Sequence, residues 1–582
     1  MSRPVQQVVR RALRHGALRA TALGIVACST PHSGSAPGPL AASGGFDVVI
    51  EHGRIVDGTG AAWFDGDIGI RGDRIVAVTR GGLLGGAAAR QRIDARGLVV
   101  APGFIDIQGQ SDYELLLGDG RVIGKVAMGV TTEILGEGST PAPVSAVMAA
   151  RPGRDTVEAR LRRRYAAPRG FDLWLRDMET HGMSVNAGSF VGAGTLREYG
   201  MGLAQGAAPP AALDSMKDAA RRAMRDGAFG VASALIYPPG NFASTDELIA
   251  IVRETSPFGG VYISHMRSEG DKLVEGVDEA IRIGREGGVP VEIYHLKASG
   301  VRNWAKGKAV IAKIDSVRAT GLDVQADMYP YTAGGTGLSA CLPPWSEADG
   351  KLFANLADPA MRAKIRAEIE RPTFAWESLC ELGTPAGVLI AQLTSPAMAQ
   401  YGGKRLSEIA AALHKDWIDT AMDLILAEHN RVETMFFLMD EGNVRLNLQQ
   451  PWIKIGTDAS GLDPDSARGL AHPRSYGTYA RILGMYVRDE HVLTLEEAVR
   501  KFTSAVATRL AIPDRGVLKA GMMADITIFD PATIAERATY EKPHQLATGV
   551  RDVFVNGVAV WRDGRHTGAK PGRALRGPGY QP

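Results

Sequence analysis

Residues 260–297 read GVYISHMRSEGDKLVEGVDEAIRIGREGGVPVEIYHLK. Gly260–His265 is a short, mostly apolar run of β type. Lys272–Glu286 places apolar residues every three or four positions, the period of a helix lying on a core. Gly287-Gly288 stops that helix, and Val289–His295 is a second β run that again ends in histidine. Strand, helix and strand within 38 residues make a βαβ unit, which implies two parallel neighbouring strands.

The same unit recurs on both sides. Strand candidates are Gly103–Ile107, Val130–Leu135, Ser189–Gly192, Gly230–Ser233, Gly260–His265, Val289–His295, Asp323–Tyr329 and Trp452–Asp458. Helical patterns such as Ala211–Asp226, Thr245–Glu254 and Lys272–Glu286 lie between them. Eight such units predict an α/β fold, a (β/α)8 barrel spanning about 101–510. The stretch from Tyr331 to Gln450 is too long for one connection and predicts an inserted subdomain or lid after strand seven, about 336–450.

Outside the barrel the pattern changes. From Phe46 to Val100, short β runs are punctuated by Gly53, Gly58, Gly60 and Gly72. The same grammar returns between 511 and 565, with Ala524–Asp530 and Val553–Val560. Both ends are expected to pair into one small β-sandwich, leaving 566–582 as a tail. Residues 1–45 are expected to be a separate leader and a Ser/Pro/Gly/Ala-rich linker. Met1–Arg19 is arginine-rich and free of acids, an apolar segment Thr21–Ala27 follows, and Ile25-Val-Ala-Cys28 resembles a bacterial lipobox. The expectation is an exported bacterial protein, periplasmic or lipid-anchored at Cys28, with cytoplasmic residence the alternative.

Composition sets limits. The 582 residues carry 66 Lys+Arg against 64 Asp+Glu, a net +2 that gives no electrostatic footprint for nucleic acid. No apolar run approaches the ~20 residues of a bilayer span. Three cysteines cannot make a disulfide scaffold, and Cys341 and Cys380 read as separate core or surface thiols. Ser189 and Ser264 lie in no Gly-x-Ser-x-Gly elbow, so a serine hydrolase is not supported.

In a barrel of this kind chemistry gathers at the C-terminal strand ends. His265 ends strand five, His295 ends strand six and Asp458 ends strand eight. Each alone is commonplace, since strand-end histidines are usually satisfied polar residues and Thr-Asp often caps a helix. Together they suit a catalytic zinc site with an open position for water and a carboxylate to move its proton.

Phe46–Gly60, Ala101-Pro-Gly-Phe-Ile-Asp106, Gly129-Val-Thr-Thr132, Ser264-His-Met-Arg267, Asp327-Met-Tyr-Pro-Tyr331, His472-Pro-Arg474 and Leu518–Asp525 resemble, in this order, the amidohydrolase superfamily. The branch they are most similar to is the N-acyl-D-amino-acid deacylases, or D-aminoacylases. The resemblance runs from about Phe46 to Asp563. It implies hydrolysis of a non-peptide carbon–nitrogen bond with one Zn2+ per chain. It makes His265 and His295 metal ligands, Asp458 the base, and Lys297, Tyr329 and Arg474 holders of the substrate carboxylate.

Three departures qualify it. The superfamily's His-x-His after strand one is Gln108-Gly-Gln110 here; amides are poor zinc ligands, so a single metal position is expected, with both glutamines facing water or substrate. The branch's cysteine ligand after strand two falls at Gly138, which makes Glu137 the expected third ligand and Glu133 its rival. Gly335 stands where the branch tends to have serine, so dipeptide-like substrates join N-acyl amino acids as candidates. The other readings are a cyclic-amide hydrolase of the same superfamily and a non-catalytic ligand-binding lipoprotein.

Overall fold

The computed structural model describes residues 45–151, 155–371 and 375–582; the leader and Cys28 lie outside the described residues. Strands one to three of the barrel are Phe104–Asp106, Val130–Leu135 and Asn186–Ser189, the last continued by Val191–Gly192. Strands four to eight are Gly230–Ala234, Val261–His265, Val291–Ile293, Val324–Met328 and Ile453–Ile455. All pair in parallel in sequence order. Strand eight returns to strand one through the Gly109–Ala459 bridge and a bond from Asp458 N to Gln108 O (2.9 Å). The (β/α)8 barrel is therefore closed, with its strand ends brought around one mouth.

Barrel strands are buried on both faces, which is why their sequences read as apolar runs rather than alternations. Ile105, Ile107, Ile134, Phe190, Ala232 and Ile263 fill the interior. Outside, helix Leu273–Gly287 buries Leu273, Val277, Ala280, Ile281 and Ile283 against the sheet. Gly284 lets it come close: a Cβ there would sit 2.0 Å from Val291 Cγ2.

Segments within 46–102 and 526–566 share a nine-stranded sheet, where Val99–Pro102 pairs antiparallel with Ile526–Phe529. The segment after strand seven builds its own three-stranded sheet from Ala333–Gly337, Val388–Ile390 and Glu433–Phe437. It also has its own core around Leu338, Leu356, Ile365, Leu406, Ile418 and Leu424.

Two expectations are corrected. Cys341 and Cys380 are not separate thiols: they form a disulfide, Cα–Cα 5.1 Å, because the insertion core folds two segments 39 residues apart onto each other. Nor do residues 566–582 trail away. Their backbone bonds the barrel floor through Gly572 N to Met183 O, Leu575 N to Ala187 O and Gly577 N to Gly227 O.

Candidate metal centre

Strand five ends at His265, whose Nδ1 lies 3.2 Å from Glu137 Oε1. His295, just past strand six, turns through φ +36 and brings Nε2 to the same oxygen at 3.2 Å. One ligand atom from each of Glu137, His265 and His295 lies within 4.8 Å of the other two. Ligand atoms about 2.0–2.1 Å from a tetrahedral zinc stand roughly 3.3 Å apart, so both Glu137 edges have the right length.

The electrostatics point the same way. Burial opposes charge on Glu137, but the two imidazoles hold its carboxyl well below the ordinary range. Burial and Lys297 push His295 toward neutrality, yet Glu269 and Glu137 outweigh them and raise it to about 10. The field at this point favours positive charge, and two imidazole nitrogens with one carboxylate oxygen are a donor set suited to zinc.

Glu137 is held from behind. Its Oε2 accepts hydrogen bonds from Gln108 Nε2 (2.7 Å) and Gln110 Nε2 (2.9 Å), leaving Oε1 for the histidines. Gln110 also donates to Asp458 Oδ1 at 2.7 Å. This corrects the expectation that both glutamines face substrate. Gln108 is 1% exposed and is not in the wall of the cavity; only Gln110 is. Glu133 faces elsewhere, bonded to Ser111 Oγ (2.8 Å) and 3.2 Å from buried Lys125.

The cavity in front of these groups measures about 290 Å³. Asp458, at φ +51 after strand eight, lines it, with Oδ2 2.7 Å from Arg474 Nη1. Burial raises the Asp458 carboxyl and Arg474 pulls it back. Lys297 and Tyr329 line the same cavity. Lys297 Nζ stands 5.7 Å and Arg474 Cζ 4.8 Å from the Tyr329 ring centroid, so the ring lies against both cations.

One residue is absent from the sequence reading. Glu269 Oε1 lies 3.0 Å from His295 Nδ1 and accepts from Lys297 Nζ at 2.7 Å. Lys297 Nζ also stands 2.7 Å from the same His295 Nδ1, so Glu269 and Lys297 together hold the far side of the imidazole, the usual place for the outer partners of a metal-bound histidine. The only sequence signal was an acid four residues past a strand-end histidine, in Ser264-His-Met-Arg-Ser-Glu269.

With this geometry in place, similarity to known proteins is decisive. The chain is 35% identical over 531 residues to the D-aminoacylase of Alcaligenes xylosoxydans xylosoxydans, covering 91% of this chain and 97% of that protein. The chain belongs to the amidohydrolase family, in its D-aminoacylase branch. The profile described as "Amidohydrolase family" matches residues 442–561. Among solved amidohydrolases, a D-aminoacylase superposes with a TM-score of 0.76 at 34% identity, covering 91% of this chain and all of that one. Its binuclear centre is described as activated by one metal and attenuated by a second. The N-acyl-D-glutamate deacylase of Bordetella bronchiseptica, solved with zinc and a phosphonate mimic of the tetrahedral intermediate, gives a TM-score of 0.74 at 30% identity over 92% of this chain.

Proposed function

We propose that this protein is a zinc-dependent deacylase that hydrolyses the amide bond of N-acyl D-amino acids. The observation that carries the reading is the convergence of Glu137, His265 and His295 on one point, beside Asp458, buried Arg474 and half-buried Lys297. The D configuration is supported by relatives bearing the names D-aminoacylase and N-acyl-D-glutamate deacylase.

Glu137, His265 and His295 would hold the metal. A zinc ion supplies a Lewis acid that polarises a carbonyl and acidifies water at neutral pH. Asp458 takes the proton of the attacking water as its oxygen bonds to the acyl carbon. It then returns that proton to nitrogen as the carbon–nitrogen bond breaks. Arg474, Lys297 and Tyr329 orient the substrate carboxylate. Gln108 and Gln110 orient Glu137, and Glu269 orients His295. One ion per chain is our reading, supported by amides standing where a His-x-His pair would serve a second.

We read the segment before Cys28 as an export leader, Cys28 as a lipidated first residue and 29–45 as a linker. The Cys341–Cys380 disulfide supports an oxidising compartment.

The test is a screen of purified protein against N-acetyl-D- and L-amino acids and dipeptides, with and without a chelator. The expected result is chelator-sensitive release of D-amino acids with about one zinc per chain. Amide hydrolysis at full rate by Asp458→Ala, or none at all by zinc-loaded protein, would overturn the reading.

A further inference from the structure

The two cations assigned to the substrate carboxylate are already paired inside the protein, and with different kinds of partner. Lys297 lies on Glu269, a carboxylate that faces His295. Arg474 lies on Asp458, the base itself. We propose that Arg474 is an exchangeable partner, shared between Asp458 in the free enzyme and the carboxylate of the bound substrate, so that recognition of that carboxylate releases the base. The proposal rests on the function proposed above.

In the free protein both oxygens of Asp458 are engaged. Oδ1 accepts from Gln110 Nε2 at 2.7 Å, and Oδ2 faces Arg474 Nη1 at 2.7 Å. The Asp458 main chain is held at the strand end, where its N–H donates to Gln108 O at 2.9 Å. Each oxygen thus faces a protein group, and Oδ2 in particular lies against a cation.

The guanidinium is only loosely committed in return. Nη2 donates to Gly335 O at 3.2 Å. Nε and Nη1 make no aligned hydrogen bond, although both are buried; the Nη1 approach to Asp458 is a close charge contact with poor alignment. A guanidinium grips best through two parallel N–H bonds to one carboxylate. A substrate carboxylate that takes Nη1 and Nη2 together makes two aligned bonds where Asp458 has one misaligned contact, and Nη2 keeps a second N–H for Gly335 O. The exchange is therefore favourable, and it returns Oδ2 to the reacting water. Gly335 leaves room for it: a Cβ there would meet Arg474 Nη2 no closer than 3.5 Å.

This predicts a specificity expressed in turnover and not only in binding. A substrate without a free carboxylate leaves Arg474 on Asp458, and the base stays engaged. The comparison is between the N-acetyl-D-amino acid preferred in the screen above and its α-carboxamide, each tested on zinc-loaded wild type and Arg474→Gln. In wild type the carboxamide should lose about 100-fold in kcat, beyond any change in KM. Arg474→Gln should lose roughly 100–1,000-fold in kcat/KM on the acid, yet turn over the carboxamide about 5–10-fold faster than wild type, because its base is free. Zinc content should be the same in both proteins. A second measurement needs no variant: millimolar acetate, a carboxylate supplied separately, should raise the wild-type kcat on the carboxamide.

A carboxamide kcat that Arg474→Gln leaves unchanged or lowers, together with no effect of acetate on wild type, would overturn the exchange and leave Arg474 as a binding residue alone. Failure of wild type on every N-acyl amino acid would instead overturn the proposed function.

Discussion

Histidines that end strands five and six, and an aspartate after strand eight, could be found in the sequence because a barrel strand fixes where its last side chain points. His265, His295 and Asp458 do line one cavity. Side-chain direction beyond a strand end is not fixed in that way, and there the sequence turned the glutamines toward water or substrate and did not mark Glu269. Gln108 and Gln110 follow strand one, and their amides turn onto Glu137 Oε2. Glu269 belongs with His295 only because the loops after strands five and six approach each other. If the glutamines act by aiming Glu137, Gln108→Ala should weaken zinc binding about 10–100-fold, the usual effect of removing an outer partner of a ligand. Competition against a chelating dye measures it directly, and excess zinc should restore activity. Gln110→Ala should weaken zinc similarly but stay slow when saturated, since Gln110 also holds Asp458. Wild-type zinc affinity in Gln108→Ala would mean that Glu137 needs no such support.

Secondary elements were legible in kind more than in extent. Val130–Leu135 appears as expected, whereas strands six and eight shrink to Val291–Ile293 and Ile453–Ile455, because their last residues peel off the sheet to reach the mouth. The insertion was visible only as excess length. Its disulfide was hidden, since 39 residues separate the cysteines and neither has a telling neighbour. The bond joins Leu338–Cys341, which directly follows Ala333–Gly337, to helix Leu379–Leu382. Gly334, Gly335, Thr336 and Leu379 all line the reaction cavity, so the bridge ties two of its walls together. Closing a loop of this length stabilises by about 4 kcal/mol in the chain-entropy account. Cys341→Ser with Cys380→Ser should therefore lower the melting temperature and raise KM severalfold while keeping zinc. Unaltered KM in the folded variant would make the bridge a stabiliser of the insertion alone.

On the scale of the whole chain, pairing of the two ends was readable from a shared grammar of short β runs and glycine turns, and Val99–Pro102 does meet Ile526–Phe529. The last residues were misread for a physical reason. A segment rich in glycine, proline and arginine has little apolar surface to announce a docking site, so it resembles a loose tail. What holds it is backbone and polar side chains together, among them Ser184 Oγ to Ala569 O, Arg573 N to Asn186 Oδ1 and Arg573 Nη1 to Asp73 Oδ2. Five main-chain bonds tie it to residues 183–227: Ala187 N to Arg573 O, Gly572 N to Met183 O, Leu575 N to Ala187 O, Gly577 N to Gly227 O and Gln581 N to Arg225 O. Arg576 adds an ion pair with Asp172 at 2.7 Å, and Leu575 packs on the cluster around Ile105 and Phe229. These contacts cover the N-terminal ends of strands three and four, the face of a barrel concerned with stability, while chemistry sits at the other. Removing residues 569–582 should lower the melting temperature by roughly 5 °C or more. At 20 °C, kcat/KM per zinc-loaded molecule should stay within about twofold, because no group of the metal centre touches the segment. Calorimetry and steady-state kinetics on the same preparation separate the two effects. A large fall in kcat/KM with an unchanged melting temperature would mean that the floor of the barrel reaches the site after all.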